Sequence, residues 1–210
     1  MTKETDYDKK LLVEGKNDQH IILALCKKFK IDEVFNVIDC EGIDNIYQSI
    51  PVFLKKSGIK TIGVIIDADN DIKCSYNRIK NRLSSEGIHI PSDLSEDGII
   101  ETQNKIKIGI WIMPNNNLNG TIEDFISFLV PKDDTLMPIA ILTLDNIEQN
   151  RLNRYPLGHK NKAKIHTWLA WQKNPGIPIG ASIGQGYLDA KHEVCKKLIA
   201  WLKKLFDAKH

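Results

Sequence analysis

Residues 61–67, Thr-Ile-Gly-Val-Ile-Ile-Asp, form an apolar run that ends on an acid. A strand that is apolar on both of its alternating faces has to be covered on both sides, the condition found in the middle of a parallel sheet flanked by helices. The preceding segments agree. Residues 9–13, Lys-Lys-Leu-Leu-Val, are closed by Glu14-Gly15 and followed by Ile21, Ile22, Leu25 and Phe29 at helical spacing. A second strand at about Val34–Ile38 leads into a helix over 43–58, which Pro51 is expected to kink or divide and Gly58 to end. After Asp67, the residues Ile72, Tyr76, Ile79 and Leu83 make a third helical stripe, closed by Gly87. Three strand–helix alternations predict an α/β fold with a mostly parallel, Rossmann-like sheet.

Further along, Ile106, Ile108, Ile110 and Ile112 alternate with Lys107, Gly109 and Trp111, which predicts a strand near a sheet edge with one face less covered. Residues 88–104 read as a polar connection. Thr121 is placed to cap a helix, residues 133–149 read as mainly helical with Pro138 early, and 160–171 as another helix. The last helix sets Leu188, Cys195, Leu198, Leu202 and Leu205 on one side and lysines outward. Gly180 to Gly186, Gly-Ala-Ser-Ile-Gly-Gln-Gly, does not fit G-x-G-x-x-G, and its glycines are expected to shape a loop or to leave room for a close backbone approach. With 210 residues the chain reads as one domain: an α/β core over 1–150 and a basic, mainly helical extension over 151–210 packed on it.

The composition, 42% hydrophobic and 27% charged, is that of a globular protein able to bury a core, which excludes disorder as the default. The opening residues are polar, no apolar window reaches the roughly 18 residues of a membrane span, and the four cysteines stand singly. These point to a cytoplasmic protein with reduced thiols. Net charge is only +2, but residues 151–210 carry 12 Lys and Arg against 3 acids, while 1–150 carry 17 against 24. From Arg151 to Leu188 there are six bases and no acid, which suits a phosphate-rich partner.

In an open parallel sheet, residues just past the carboxyl ends of the strands converge on one rim. Glu14 and Asp67 each follow such a strand, and Asp69 comes two residues later. Crowded carboxylates are unfavourable without a cation between them. Mg²⁺ or Mn²⁺ suits such oxygen ligands, and Asp71 and Glu123 are the candidates for a second ion, as in sites that clamp both oxygens of a phosphodiester. Rival motifs fail. An EF-hand loop starting at Asp67 would have Ile72 where Gly is required and Arg78 where Glu is required. A phosphate loop would need Gly at Lys10 and Ser or Thr at Asn17. A glycosyltransferase D-x-D leaves Glu14 without a task, and the histidines lack H-E-x-x-H spacing. The bland reading of residues 67–71 is a polar turn with a helix cap, and Asp124, three after Thr121, fits a capping role.

"LLVEGKND" after the first strand and "VIIDADND" at the end of the third resemble the Toprim domain, the metal-binding α/β module of topoisomerases, primases and related nucleases. With "GTIEDF" and the later lysine-rich helix, the chain looks similar to small Toprim proteins allied to the OLD-type nucleases of bacteria and their viruses. The likeness covers roughly Leu11 to Phe128. It implies an Mg²⁺- or Mn²⁺-dependent nuclease acting on DNA rather than RNA, used in phage defence and often paired with an ATPase; a homodimer is a further expectation. It also implies metal binding by Glu14, Asp67, Asp69 and Glu123, with Glu14 a ligand or the general acid/base. A catalytic lysine is implied too, among Lys160, Lys162 and Lys164, of which Lys160 and Lys164 share a helix face and are favoured. The alternative is a regulatory subunit that binds nucleic acid or a phosphorylated ligand without turnover.

Overall fold

The computed structural model describes residues 5–208; the polar opening Met1–Glu4 and the final Lys209–His210 lie outside the described residues. Strands β1 (Lys9–Val13), β2 (Asn36–Asp39), β3 (Thr61–Asp67), β4 (Ile99–Gln103) and β5 (Ile106–Met113) form one sheet in the order β2-β1-β3-β5-β4. The first four in that order run parallel, and β4 pairs antiparallel with β5. The protein is α/β, with the mostly parallel, helix-flanked sheet expected of a Rossmann-like fold.

Side-chain alternation along the strands fills two separate cores. Leu12, Val64, Ile66, Ile110 and Ile112 point to the side covered by α2 (Ile43–Lys55) and α3 (Ile72–Ser84). Leu11, Val13, Ile65 and Trp111 point to the side covered by α1 (Lys16–Lys28), α4 (Ile122–Phe128) and α8 (Glu193–Phe206). Between α4 and α8 come α5 (Leu136–Gln149), α6 (Lys160–Ala170) and α7 (Ile179–Gln185). Residues 151–208 contribute to this second core: Trp168, Leu198, Leu205 and Phe206 lie in one buried cluster with side chains of β1, β3 and β5. No helix among the described residues is long and apolar enough to cross a membrane.

Helix α8 reaches the sheet through two glycines that are register partners, Gly63 on β3 and Gly109 on β5. A Cβ at Gly63 would stand 2.8 Å from Leu205 Cδ2, and one at Gly109 only 2.5 Å from it. Trp201 closes the same interface, its indole N–H donating to the Ile99 carbonyl at 3.1 Å and its ring lying 5.8 Å from that of Trp111.

Four local expectations are corrected. β5 is not thinly covered, because α8 lies over its Gly109 and Trp111 side and Trp111 is fully buried. The edge is β4, within the stretch read as a connection; it is joined to β5 by Asn104 and Lys105, both left-handed at φ +53° and +66°. That two-residue hairpin lacks the glycine that usually announces it. Pro51 does not divide α2. Its missing N–H frees the Tyr47 carbonyl, which instead accepts Arg82 Nε at 2.7 Å. Gly180 to Gln185 lie in helix α7 and not in a loop. Gly180 serves the close approach instead: a Cβ there would be 2.8 Å from the His20 carbonyl of α1.

Candidate functional site

The rim at the carboxyl ends of β1 and β3 is held together by backbone donors to carboxylates. Glu14 Oε1 accepts the Asp67 N–H at 2.8 Å. Asp67 Oδ1 accepts the N–H of Ile122, first residue of α4, at 3.0 Å. Asp69, left-handed at φ +50°, exchanges two backbone hydrogen bonds with Gly120, at 2.9 and 2.8 Å. Asp is among the few residues that tolerate this conformation. Three segments distant in sequence are therefore stitched around one cleft of about 480 Å³.

Glu14, Asp67, Asp69 and Glu123 all line it. Glu123 is buried, and its Oε2 accepts the Thr121 hydroxyl at 2.9 Å. A fifth acid, Asp18, went unnoticed in the sequence; it is buried in the first turn of α1 and lines the same cleft. Its signal was its place: three positions beyond Gly15, which precedes the first turn of α1, an Asp side chain reaches back toward the end of β1.

Burial is the largest influence on the three perturbed acids. It pushes Asp18 up to about 7, with the charges of Glu14, Glu123 and Asp39 adding to the rise. Asp67 is held well above the usual carboxylate range by burial and then by Asp18, Glu14, Glu123 and Asp69. Glu14 is raised by burial and by Asp69, against the opposing Asp67 N–H. Among the described residues, no Lys, Arg or His forms an ion pair with any of these five acids. Nor do any three His, Cys, Asp or Glu side chains among them stand as a preformed metal-ligand set. The donor chemistry nonetheless fits a hard divalent cation: carboxylate oxygens, short of positive charge, in a cleft with room for water.

A family profile matches residues 8–207, from the start of β1 past the end of α8. The chain belongs to the DUF3226 family. That family is described as one of unknown function. No curated protein and no solved structure matches the chain.

The structure separates the remaining sequence candidates of this DUF3226 protein. Asp71 lies outside the cleft lining and caps α3, its Oδ1 accepting the N–H groups of Lys73 and Cys74 at 3.0 Å each. Asp124 accepts the Thr121 N–H at 2.9 Å, an α4 capping contact. Lys160, one of the two favoured lysines, is bound by Asp145 and Glu148 at 2.7 and 2.6 Å. Lys164 donates to Asn161, which in turn donates to Asp124 at 2.6 Å. The lysine of the three that lines the acidic cleft is Lys162, beside Gly158 and His159; Lys16 lines it from α1. Helical spacing puts Lys160 and Lys164 on one face, but that face turns toward α5 and α4.

Proposed function

We propose that this DUF3226 protein is an Mg²⁺- or Mn²⁺-dependent phosphodiesterase acting on nucleic acid, of the Toprim kind. The observation that carries the reading is the Glu14–Asp67–Ile122 chain of hydrogen bonds, which gathers acids from the ends of β1 and β3 and from α4 around a cleft where no cation among the described residues is paired to them. Asp67, Asp69 and Glu123 would hold the ion; Glu14 is a further ligand or the group that moves the proton of the attacking water. A bound divalent ion supplies positive charge to the phosphate oxygens and offsets the repulsion among the acids. Lys162 and Lys16, at the mouth, neutralise charge on the phosphate as it reacts.

Incubation of the protein with supercoiled plasmid and Mn²⁺ or Mg²⁺, beside Asp67→Ala, tests this. Nicked or linear product that needs the metal and disappears in the variant is the expected result; intact plasmid under every metal condition defeats the proposal.

One observation favours a second reading, a subunit that binds nucleic acid or a phosphorylated ligand without turnover: Lys160 is withdrawn into ion pairs with Asp145 and Glu148. Intact plasmid together with salt-sensitive binding would select that reading.

A further inference from the structure

Nine large apolar side chains are exposed among the described residues, and five of them fall between positions 139 and 157: Ile139 at 51%, Ile141 at 39%, Leu142 at 67%, Leu152 at 69% and Leu157 at 71%. Apolar exposure scattered singly is ordinary, but concentration on one element marks a contact surface. Three of the five lie on α5, which packs on α6, and Leu152 and Leu157 lie in the segment just after it. The segment after it folds back along its end. Leu152 N–H bonds the Ile147 carbonyl at 2.9 Å, and the Tyr155 hydroxyl bonds Glu148 at 2.8 Å.

We propose that this face binds a second copy of the chain, with the two α5 helices antiparallel across a twofold axis. Ile139, Leu142, Asn146 and Gln149 follow one another at steps of three, four and three residues, the spacing of a helix–helix seam. The four seam side chains are uncharged, and the two acids of α5, Asp145 and Glu148, turn to Lys160 beside the seam. A face without charge meets its own copy without repulsion, as an isologous contact requires. The ends are complementary as well. Exposed Asp133 precedes the N-terminus of α5, and exposed Arg151 and Arg154 follow its C-terminus; none of the three has an ion-pair partner among the described residues. An antiparallel pair sets the acidic end of each helix beside the basic end of the other. Lys132, next to Asp133, offsets part of this attraction, and by the twofold symmetry does so equally at both ends. Leu142 stands at the middle of α5, so the axis brings it onto its own counterpart.

That placement gives the test. Sedimentation of the full chain over a dilution series is expected to show twice the 23.9 kDa chain mass. Leu142→Asp and Leu142→Lys, each placing like charges at the axis, are expected to be monomeric with unchanged far-ultraviolet dichroism, because the side chain is outside the core. An equal mixture of the two is expected to dimerise again. A monomeric wild type overturns the proposal. So does a dimer that survives either substitution, a mixture that stays monomeric, or a face that takes up only a different protein.

Discussion

Glu14 and Asp67 stand 53 positions apart in the chain, yet the Glu14 carboxylate accepts the Asp67 backbone N–H at 2.8 Å. The contact exists because β1 and β3 are parallel neighbours that end on the same rim. It satisfies one donor and leaves a harder problem, since Asp67 and Asp18 then sit within reach of Glu14 and Glu123 with no cation among the described residues paired to them.

The metal-free protein is therefore expected to lose stability as pH rises. The pKa of Asp18 in the folded protein is about 7, above its ordinary value of 3.8, and that of Asp67 is raised in the same direction. A carboxyl raised by folding contributes its full stabilisation below the unfolded pKa and loses it as pH climbs through the folded one. The melting temperature should fall between about pH 4 and pH 8, most steeply between the unfolded and folded values of Asp18, where only the folded state keeps the proton. Mn²⁺ should flatten that slope by offsetting the ionised acids, as a ligand that binds only the folded state must. A melting temperature that rises over this interval without metal, or a slope indifferent to Mn²⁺, contradicts the assignment.

The three lysines separate by partner. Lys162→Ala is expected to lower turnover of a nucleic-acid substrate by about 100-fold, the scale for losing one charge-stabilising donor in a transition state. Lys160→Ala removes contacts to Asp145 and Glu148 that lie away from the cleft. It should lower the melting temperature slightly and leave turnover near wild type. Single-turnover rates alongside melting curves read both effects, and the reverse pattern would return the catalytic role to Lys160.

Asp69 and Asp71 look equivalent in the sequence and differ in what they touch. Asp71→Ala removes two hydrogen bonds at the start of α3 and should cost about 1 kcal/mol, the usual loss for an N-cap. The Mn²⁺-induced rise in melting temperature should survive it. Asp69→Ala should abolish much of that rise, because Asp69 lines the acidic cleft. Thermal shift with and without Mn²⁺ on the two variants decides between them.

This pair also shows why part of the site was legible and part was not. Alternating strand and helix patterns place Glu14 and Asp67 on one rim whatever their sequence distance, so topology could be read from local periodicity. Which acid points inward depends on single hydrogen bonds, such as Asp71 to Lys73 and Cys74, that no period encodes. Asp18 was hidden for the opposite reason: its helical position resembles any first-turn acid, and its burial comes from the rim closing over it. Edge strand β4 was missed because its turn, Asn104-Lys105, is left-handed without glycine.

Gly109 also had a role beyond its local pattern. In the sequence it is one of the residues that alternate with the isoleucines; in the fold it is the floor on which α8 rests. A Cβ at Gly109 would meet Leu205 Cδ2 at 2.5 Å and Trp201 Cζ2 at 2.9 Å, and Gly63 beside it offers no space either. Gly109→Ala is therefore expected to cost about 1–3 kcal/mol by overpacking. At roughly 2–4 °C per kcal/mol for a chain of this size, the melting temperature should fall visibly. Leu205→Ala alone opens a cavity and should cost about 2–5 kcal/mol. If the two side chains compete for one volume, the double variant is less destabilised than the two single losses added together, by an interaction of about 1 kcal/mol or more. Urea titrations of the four proteins measure that interaction. Strict additivity would mean that α8 does not bear on Gly109, and the account of how the last helix covers the sheet would have to be redrawn.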